Sequence, residues 1–239
     1  MYEERSYREK FKAEGLSFYD ICIMETDLRI GARRNITKEA LLLVSEYRTQ
    51  LEDYIKIHPD FLKSLEPVKA VHNAPEIVKR MCSSAEKAGV GPMAAVAGAI
   101  SEMVGVELLK YTDEVIVENG GDIYIKSASS RIIGIYAGSS PLSNRIGIWA
   151  DAPEGIGICT SSGTVGHSLS FGNADAAVII SRDTFLADAA ATALGNMIKS
   201  AADIESSLKR ICSIVGIKGA VVIIGDNIGC SGDIQLVKI

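Results

Sequence analysis

Apolar and polar positions alternate in two bursts over residues 18–33, FYDICI and LRIGA, with the acidic stretch 25–27 between them, which predicts a β-hairpin. Asn35 or Thr37 then caps a helix over 38–57, where Leu41, Leu42, Val44, Tyr47, Leu51, Tyr54 and Ile55 fall near helical spacing and His58-Pro59 stops the run. Pro75 opens a second helix over 76–87, residues 89–92 break it, and 93–110 forms a third. Two strands follow around a tight turn, 114–117 and 123–126. The order then repeats: strands at 132–137, 145–150 and 176–181, helices at 186–200 and 204–214, and strands at 219–224 and 232–238. Each half ends in a strand pair joined at a Gly/Asp turn, ENGGDI (118–123) and GCSGDI (229–234). This pattern predicts an α+β fold: one domain over 1–239, built of two pseudo-repeats, about 1–126 and 131–239, each with helices on one face of an antiparallel sheet.

Composition narrows the class. A chain of 239 residues is long enough to bury a sizeable core without covalent staples. Its five cysteines (22, 82, 159, 212 and 230) are odd in number, lack a C-x-x-C pair, and are expected to be mostly buried thiols in a reducing compartment. The net charge of −5 leaves no electrostatic footprint for nucleic acid. The N-terminal MYEERSYREKF has no apolar core, so neither a secretory signal nor a lipoprotein leader is expected, and a cytoplasmic setting follows. The apolar run 89–109 contains Pro92, Glu102, Glu107 and several glycines, which predicts a buried, small-faced helix and no membrane contact.

Three segments carry candidate chemistry. The Gly/Ser/Thr-rich loop CTSSGTVGHS (159–168) can converge backbone N–H groups and the hydroxyls of Thr160, Ser161, Ser162 and Thr164 on an anion such as phosphate, with Gly163 leaving room; a small polar surface turn would read the same way. His167 could act as a general base or phosphate partner, or simply be solvated. In LADAAATALGN (186–196), Asp188 and Thr192 lie four apart on a helix, as two ligands of a hard cation would. Against that stand a helix-dipole role for Asp188 in the first turn and a buried helix threonine at 192. Asn119-Gly120 is a hairpin signal in its own right, but Gly121 and the flanking Glu118 and Asp122 exceed what a turn needs and could meet a ribose or base edge. A Cys159/His167 nucleophile pair lacks any recognisable elbow or protease signature.

In this order, ENGGDI, IGICTSSG and LADAAATALGN resemble the ApbE family of Mg-dependent FAD:protein FMN transferases, over roughly residues 89–196. In more detail, GVGPMAAVAGAIS and CTSSGTVGHSLSFGNADA look like an uncharacterised prokaryotic family related to ApbE. The resemblance implies duplicated T-fold-like units. It also implies Mg²⁺ on Asp188 and Thr192, and Gly120, Gly121 and Asp122 beside a flavin nucleotide. Thr160, Ser162 and Gly163 match the family's T-S-G stretch, with one serine inserted. Ser101-Glu102-Met103 stands where that family has A-K-G, and no His…Pro-x-Thr-Gly segment follows His167.

Two functions are therefore expected as alternatives. One is a Mg-dependent transferase or hydrolase acting on the pyrophosphate of FAD or a related dinucleotide, with His167 and Asp188 in catalysis and a possible acceptor protein. The other is a flavin or nucleotide carrier or sensor without turnover. A homo-oligomer is left open.

Overall fold

In a computed structural model, residue 8 and residues 13–164 and 171–239 are described. The expected hairpin is present as β1 (Ser17–Ile23) and β2 (Thr26–Ala32), and helix α1 (Thr37–Ile57) starts where Asn35 Oδ1 accepts from the Thr37 N–H. A short turn of helix, α2 (Asp60–Lys63), precedes α3 (Glu76–Ala88), which Gly89 closes in a left-handed conformation. The third expected helix begins with a 3₁₀ turn at Pro92–Ala95 and continues as α4 (Val96–Leu108). Next come β3 (Val115–Asn119), β4 (Asp122–Gly134), β5 (Ile146–Ser161), β6 (Ala176–Ser181), α5 (Thr184–Met197), α6 (Ile204–Cys212), β7 (Ile217–Ile224), β8 (Asn227–Gly232) and β9 (Gln235–Lys238).

Three expectations need correction. The strands predicted at 123–126 and 132–137 largely merge into β4, whose pairing with β5 shifts register at two bulges, around Ser127 and around Pro153 to Gly155. Bulges tolerate the proline and small polar residues that otherwise read as strand breaks. The second correction is that Cys159, Thr160 and Ser161 are strand rather than loop: β5 runs through them, with Cys159 paired to β4 on one side and β6 on the other, and Thr160 and Ser161 paired to β6. Finally, the second Gly/Asp hairpin turns at Gly225-Asp226, so GCSGDI lies mostly in β8.

The strands form one antiparallel sheet in the order β1-β2-β3-β4-β5-β6-β7-β8, with β9 added to the N-terminal half of β5. Helices cover one face, against Val115, Val117, Tyr124, Cys159, Ala177, Ile179, Ala220 and Val222. The alternate positions, including Ile116, Ile125, Ile148, Ile158, Val178 and Val221, form a second apolar cluster on the other face. Period-two alternation thus leaves the central strands buried on both sides.

Helix α5 sits at the centre of the helical layer, packed on β5, β6, α3 and α4, and almost all of its first twelve residues are buried. Its alanines allow that approach, and so does Gly157 of β5: a Cβ there would lie 2.6 Å from Thr184 Cα. Gly157→Ala is therefore expected to force α5 off the sheet and cost about 1–3 kcal/mol in a urea-unfolding measurement. A loss below a few tenths would mean that the contact is slack.

Candidate functional site

β3 and β4 join through a two-residue turn in which Gly120 and Gly121 both take positive φ (66° and 105°), the geometry of a type I′ hairpin. The turn lies beside the C-terminal end of β5. Asp122 pairs directly with Cys159, and the Thr160 carbonyl oxygen lies 3.6 Å from where a Gly121 Cβ would be. ENGGD and CTSSG, far apart in sequence, are therefore side by side in the sheet rather than facing one another across a cleft.

Helices α4 and α5 close over this corner from the helical side. The Ser101 hydroxyl donates to the Asp122 carbonyl at 2.9 Å, and Asn119 Nδ2 donates to the Ala97 carbonyl. One turn earlier on α4, the Gly98 N–H donates to Asp188 Oδ2 at 2.8 Å; a Cβ on Gly98 would lie 2.8 Å from Asp188 Cβ and 2.6 Å from the Thr184 carbonyl oxygen. The Cys159 thiol sits between the Asp122 carboxylate and the Thr184 carbonyl, the latter at 3.7 Å. Asp122, Cys159, Thr184 and Asp188 thus form one cluster, and each is buried.

Its electrostatics are unusual. Among the described residues neither Asp122 nor Asp188 takes part in an ion pair. Burial raises the Asp188 pKa from 3.8 to about 7, although backbone N–H groups of α4 partly offset it. Asp122 is pushed well up by burial first and by the neighbouring Asp188 charge second. Its Oδ1 is buried with no hydrogen-bond partner, as is Thr184 Oγ1. Burial and the two carboxylates likewise push the Cys159 thiol well up, the reverse of what an activated nucleophile requires.

The neighbouring acids are satisfied. Glu118 is fully buried; its Oε1 accepts from the Gly121 N–H at 2.8 Å and its Oε2 from Arg8 Nε at 2.6 Å, while Arg8 also bridges to Asp27. Glu102 accepts from the Thr184 N–H at 2.6 Å and pairs with Arg80, which also reaches Asp183 and stacks over the Phe185 ring. Asp183 in turn accepts from the Leu186 N–H. The first N–H groups of α5 are thus capped by carboxylates, and Glu102 has a structural partner there.

Other expected residues fare differently. The Gly163 N–H donates to the Ala174 carbonyl and the Thr164 N–H to Ser162 Oγ, while the Thr164 hydroxyl donates to Asp175, so these groups are engaged within the protein. Thr160, Ser161 and Thr192 are half-buried. His167 lies outside the described residues. Asp188 is the fifth residue of α5, one turn past the helix start, which removes the first-turn dipole role. Only Cys82 and Cys159 are buried thiols; Cys22 and Cys230 are exposed. Sequence reading missed Arg8, Arg80, Gly98 and Thr184, whose partners are 19–110 positions away and leave no local pattern.

The donor set suits a small hard cation. Among the described residues no group of three or more His, Cys, Asp or Glu encloses an ion. Mg²⁺, however, is typically held by one or two carboxylates with waters and substrate phosphates completing its shell. Two acids without a basic partner and an orphaned carboxylate oxygen fit that requirement.

Known proteins share this architecture. The fold resembles Pseudomonas stutzeri flavinyl transferase ApbE in its apo form, at a TM-score of 0.57 and 14% identity over 90% of this chain and 93% of that one. It also resembles the ApbE protein of Thermotoga maritima, at a TM-score of 0.59 and 13% identity over 90% and 97%. The molecule therefore has an ApbE-like fold. A family model described as AbpE bacteria matches residues 8–225, and the chain belongs to that family. The chain is also similar to UPF0280 proteins of Methanococcus aeolicus (44% identical over 91% of each chain) and Methanosarcina acetivorans (46%, over 82% of this chain and 78% of that one). Among the described residues no single helix is long and apolar enough to cross a membrane.

A carboxyl that keeps its proton to about 7 when folded, but loses it near 3.8 when unfolded, binds more protons in the folded state across that window. Its contribution to stability therefore falls as pH rises. Without divalent ions, the unfolding free energy of Asp188→Asn should gain on wild type between about pH 4 and pH 8. A pH-independent difference would show that Asp188 is charged in both states.

Proposed function

We propose that this chain binds a flavin nucleotide, or a related dinucleotide, through a divalent cation held by Asp188 and Thr192, and that it is a transferase acting at the pyrophosphate. The observation that carries this is the pair of buried carboxylates without a basic partner, set beside the Gly120-Gly121 turn on an ApbE-like fold. A bound cation would supply charge to the pyrophosphate oxygens. The Gly98 N–H orients the Asp188 carboxylate, and Arg8 through Glu118 holds the Gly121 N–H, so the turn is fixed before any ligand arrives. Thr160 and Ser161, half-buried at the strand end beside the turn, are the polar contacts we assign to the nucleotide, with Ser162 following them in the chain and His167 as the group to manage a proton. Flavinyl transfer, the activity in the name of the Pseudomonas protein, is the form of the reaction we favour, with a protein as the acceptor we propose.

One observation favours the alternative of a carrier or sensor. Glu102, in the position where ApbE proteins place a lysine, is spent on the Thr184 N–H and Arg80, so no free cation from α4 reaches toward a pyrophosphate. We also infer duplication. β1–β4 and β5–β8 each enclose helices between their second and third strands, which supports two related units meeting at the β4–β5 connection rather than at 126–131.

Absorbance and mass spectra of any ligand released from freshly purified protein, followed by calorimetric titration with FAD, FMN and ATP, test the proposal. Binding of a flavin that needs Mg²⁺ in wild type and weakens at least about tenfold in Asp188→Asn is expected. Equal binding with and without Mg²⁺ would exclude the cation role. Flavin turnover would decide for the transferase, and tight binding without turnover for the carrier.

A further inference from the structure

The Asp122 carboxylate has a buried oxygen, Oδ1, without a hydrogen-bond partner among the described residues. It opens β4 on the helical side of the sheet, 92% buried, with its backbone carbonyl fixed by Ser101 and its strand position fixed by the pairing with Cys159. A β-turn needs no acid there, since Gly120 and Gly121 already supply the geometry. One carboxylate oxygen has hydrogen-bond partners in the Cys159 thiol and the Thr160 backbone, whereas Oδ1 has none. Asp122 and Asp188 adjoin the same turn of α4, through Ser101 and Gly98, and their charges act on each other. Two buried acids at one helix turn repel, and the nearby basic side chains are committed elsewhere: Arg8 to Glu118 and Asp27, Arg80 to Glu102 and Asp183. A positive charge between the two carboxylates would relieve the repulsion and give Oδ1 its missing partner.

We infer that Asp122, through Oδ1, is a further ligand of the divalent cation held by Asp188, so that the glycine turn joins the cation site directly. This rests on the cation site of the proposed function. It ties two roles that sequence patterns keep apart: the turn beside the nucleotide and the helix that holds the ion share one charge. Loading the ion then draws β4 and α5 together across Cys159. The ligand class is a small, hard divalent cation, Mg²⁺ or Mn²⁺, because every donor at hand except one thiol is oxygen.

Mn²⁺ binding to the full chain, read by electron paramagnetic resonance with and without FAD, tests this on wild type, Asp122→Asn and Asp188→Asn. Both variants should weaken Mn²⁺ binding by at least about tenfold, through the loss of a charged oxygen ligand. Asp122→Asn should also melt above wild type when divalent ions are absent, because one of two repelling acids is gone. Loss of the ion in Asp188→Asn with binding within about twofold of wild type in Asp122→Asn would overturn the role of Asp122 and leave the Asp188 site standing. Undiminished binding in both variants, or none in wild type, would overturn both. Asp122→Ser, smaller and uncharged, carries the same comparison should the asparagine variant not fold.

Discussion

Helix α5 is buried along almost all of its first twelve residues, between α3 and α4 on one side and β5 and β6 on the other, so a polar atom at one of those buried positions must be matched inside the protein. Most of its residues meet that demand by being alanine, leucine or phenylalanine. Asp188 does not. A carboxylate there is costly unless it stays neutral or finds a positive partner. The rest of the corner is built around that constraint: Gly98 is a glycine so that α4 can bring an N–H to within 2.8 Å, and Gly157 is one so that β5 can pass directly beneath Thr184.

The surrounding charges divide into two kinds. Glu118 and Glu102 are buried acids with arginine partners, and each uses a second oxygen to hold a backbone N–H, of Gly121 and of Thr184. Such pairs lock local geometry, and removing one partner would strand a buried charge. Asp122 and Asp188 lack arginines, and between them sits a thiol that their field and burial keep protonated. A fold that supplies a guanidinium to the buried Asp27, Glu102, Glu114 and Glu118 and withholds it from the adjacent Asp122 and Asp188 has left room for a charge from outside. Buried acids perturbed by desolvation and by a neighbouring charge cluster at functional sites.

Much of this was legible in the sequence. Asn-Gly-Gly specifies its own turn, and an acid inside an alanine-rich helix stands out without any knowledge of the fold. The helices followed their apolar spacing to within a few residues. What failed was the reading of Thr160 and Ser161 as loop: in a run of small hydroxylated residues and glycine the local preference is weak, and pairing with Val178 and Ala177 of β6 carries the strand through them. The long strands β4 and β5 were cut short for a related reason, because SASS and Pro153-Glu154-Gly155 read as breaks where the structure has bulges. The arginine partners were invisible, since nothing local connects Arg8 with Glu118, or Glu102 with the start of α5.

In the proposed site Asp122 and Asp188 share one cation. Anomalous diffraction from a crystal grown with Mn²⁺ and FAD addresses it directly. A single anomalous peak at bonding distance, about 2.0–2.2 Å, from oxygens of both carboxylates is the expected result. An ordered Asp122–Asp188 corner with no peak, or a peak on Asp188 with Asp122 turned away, would contradict it.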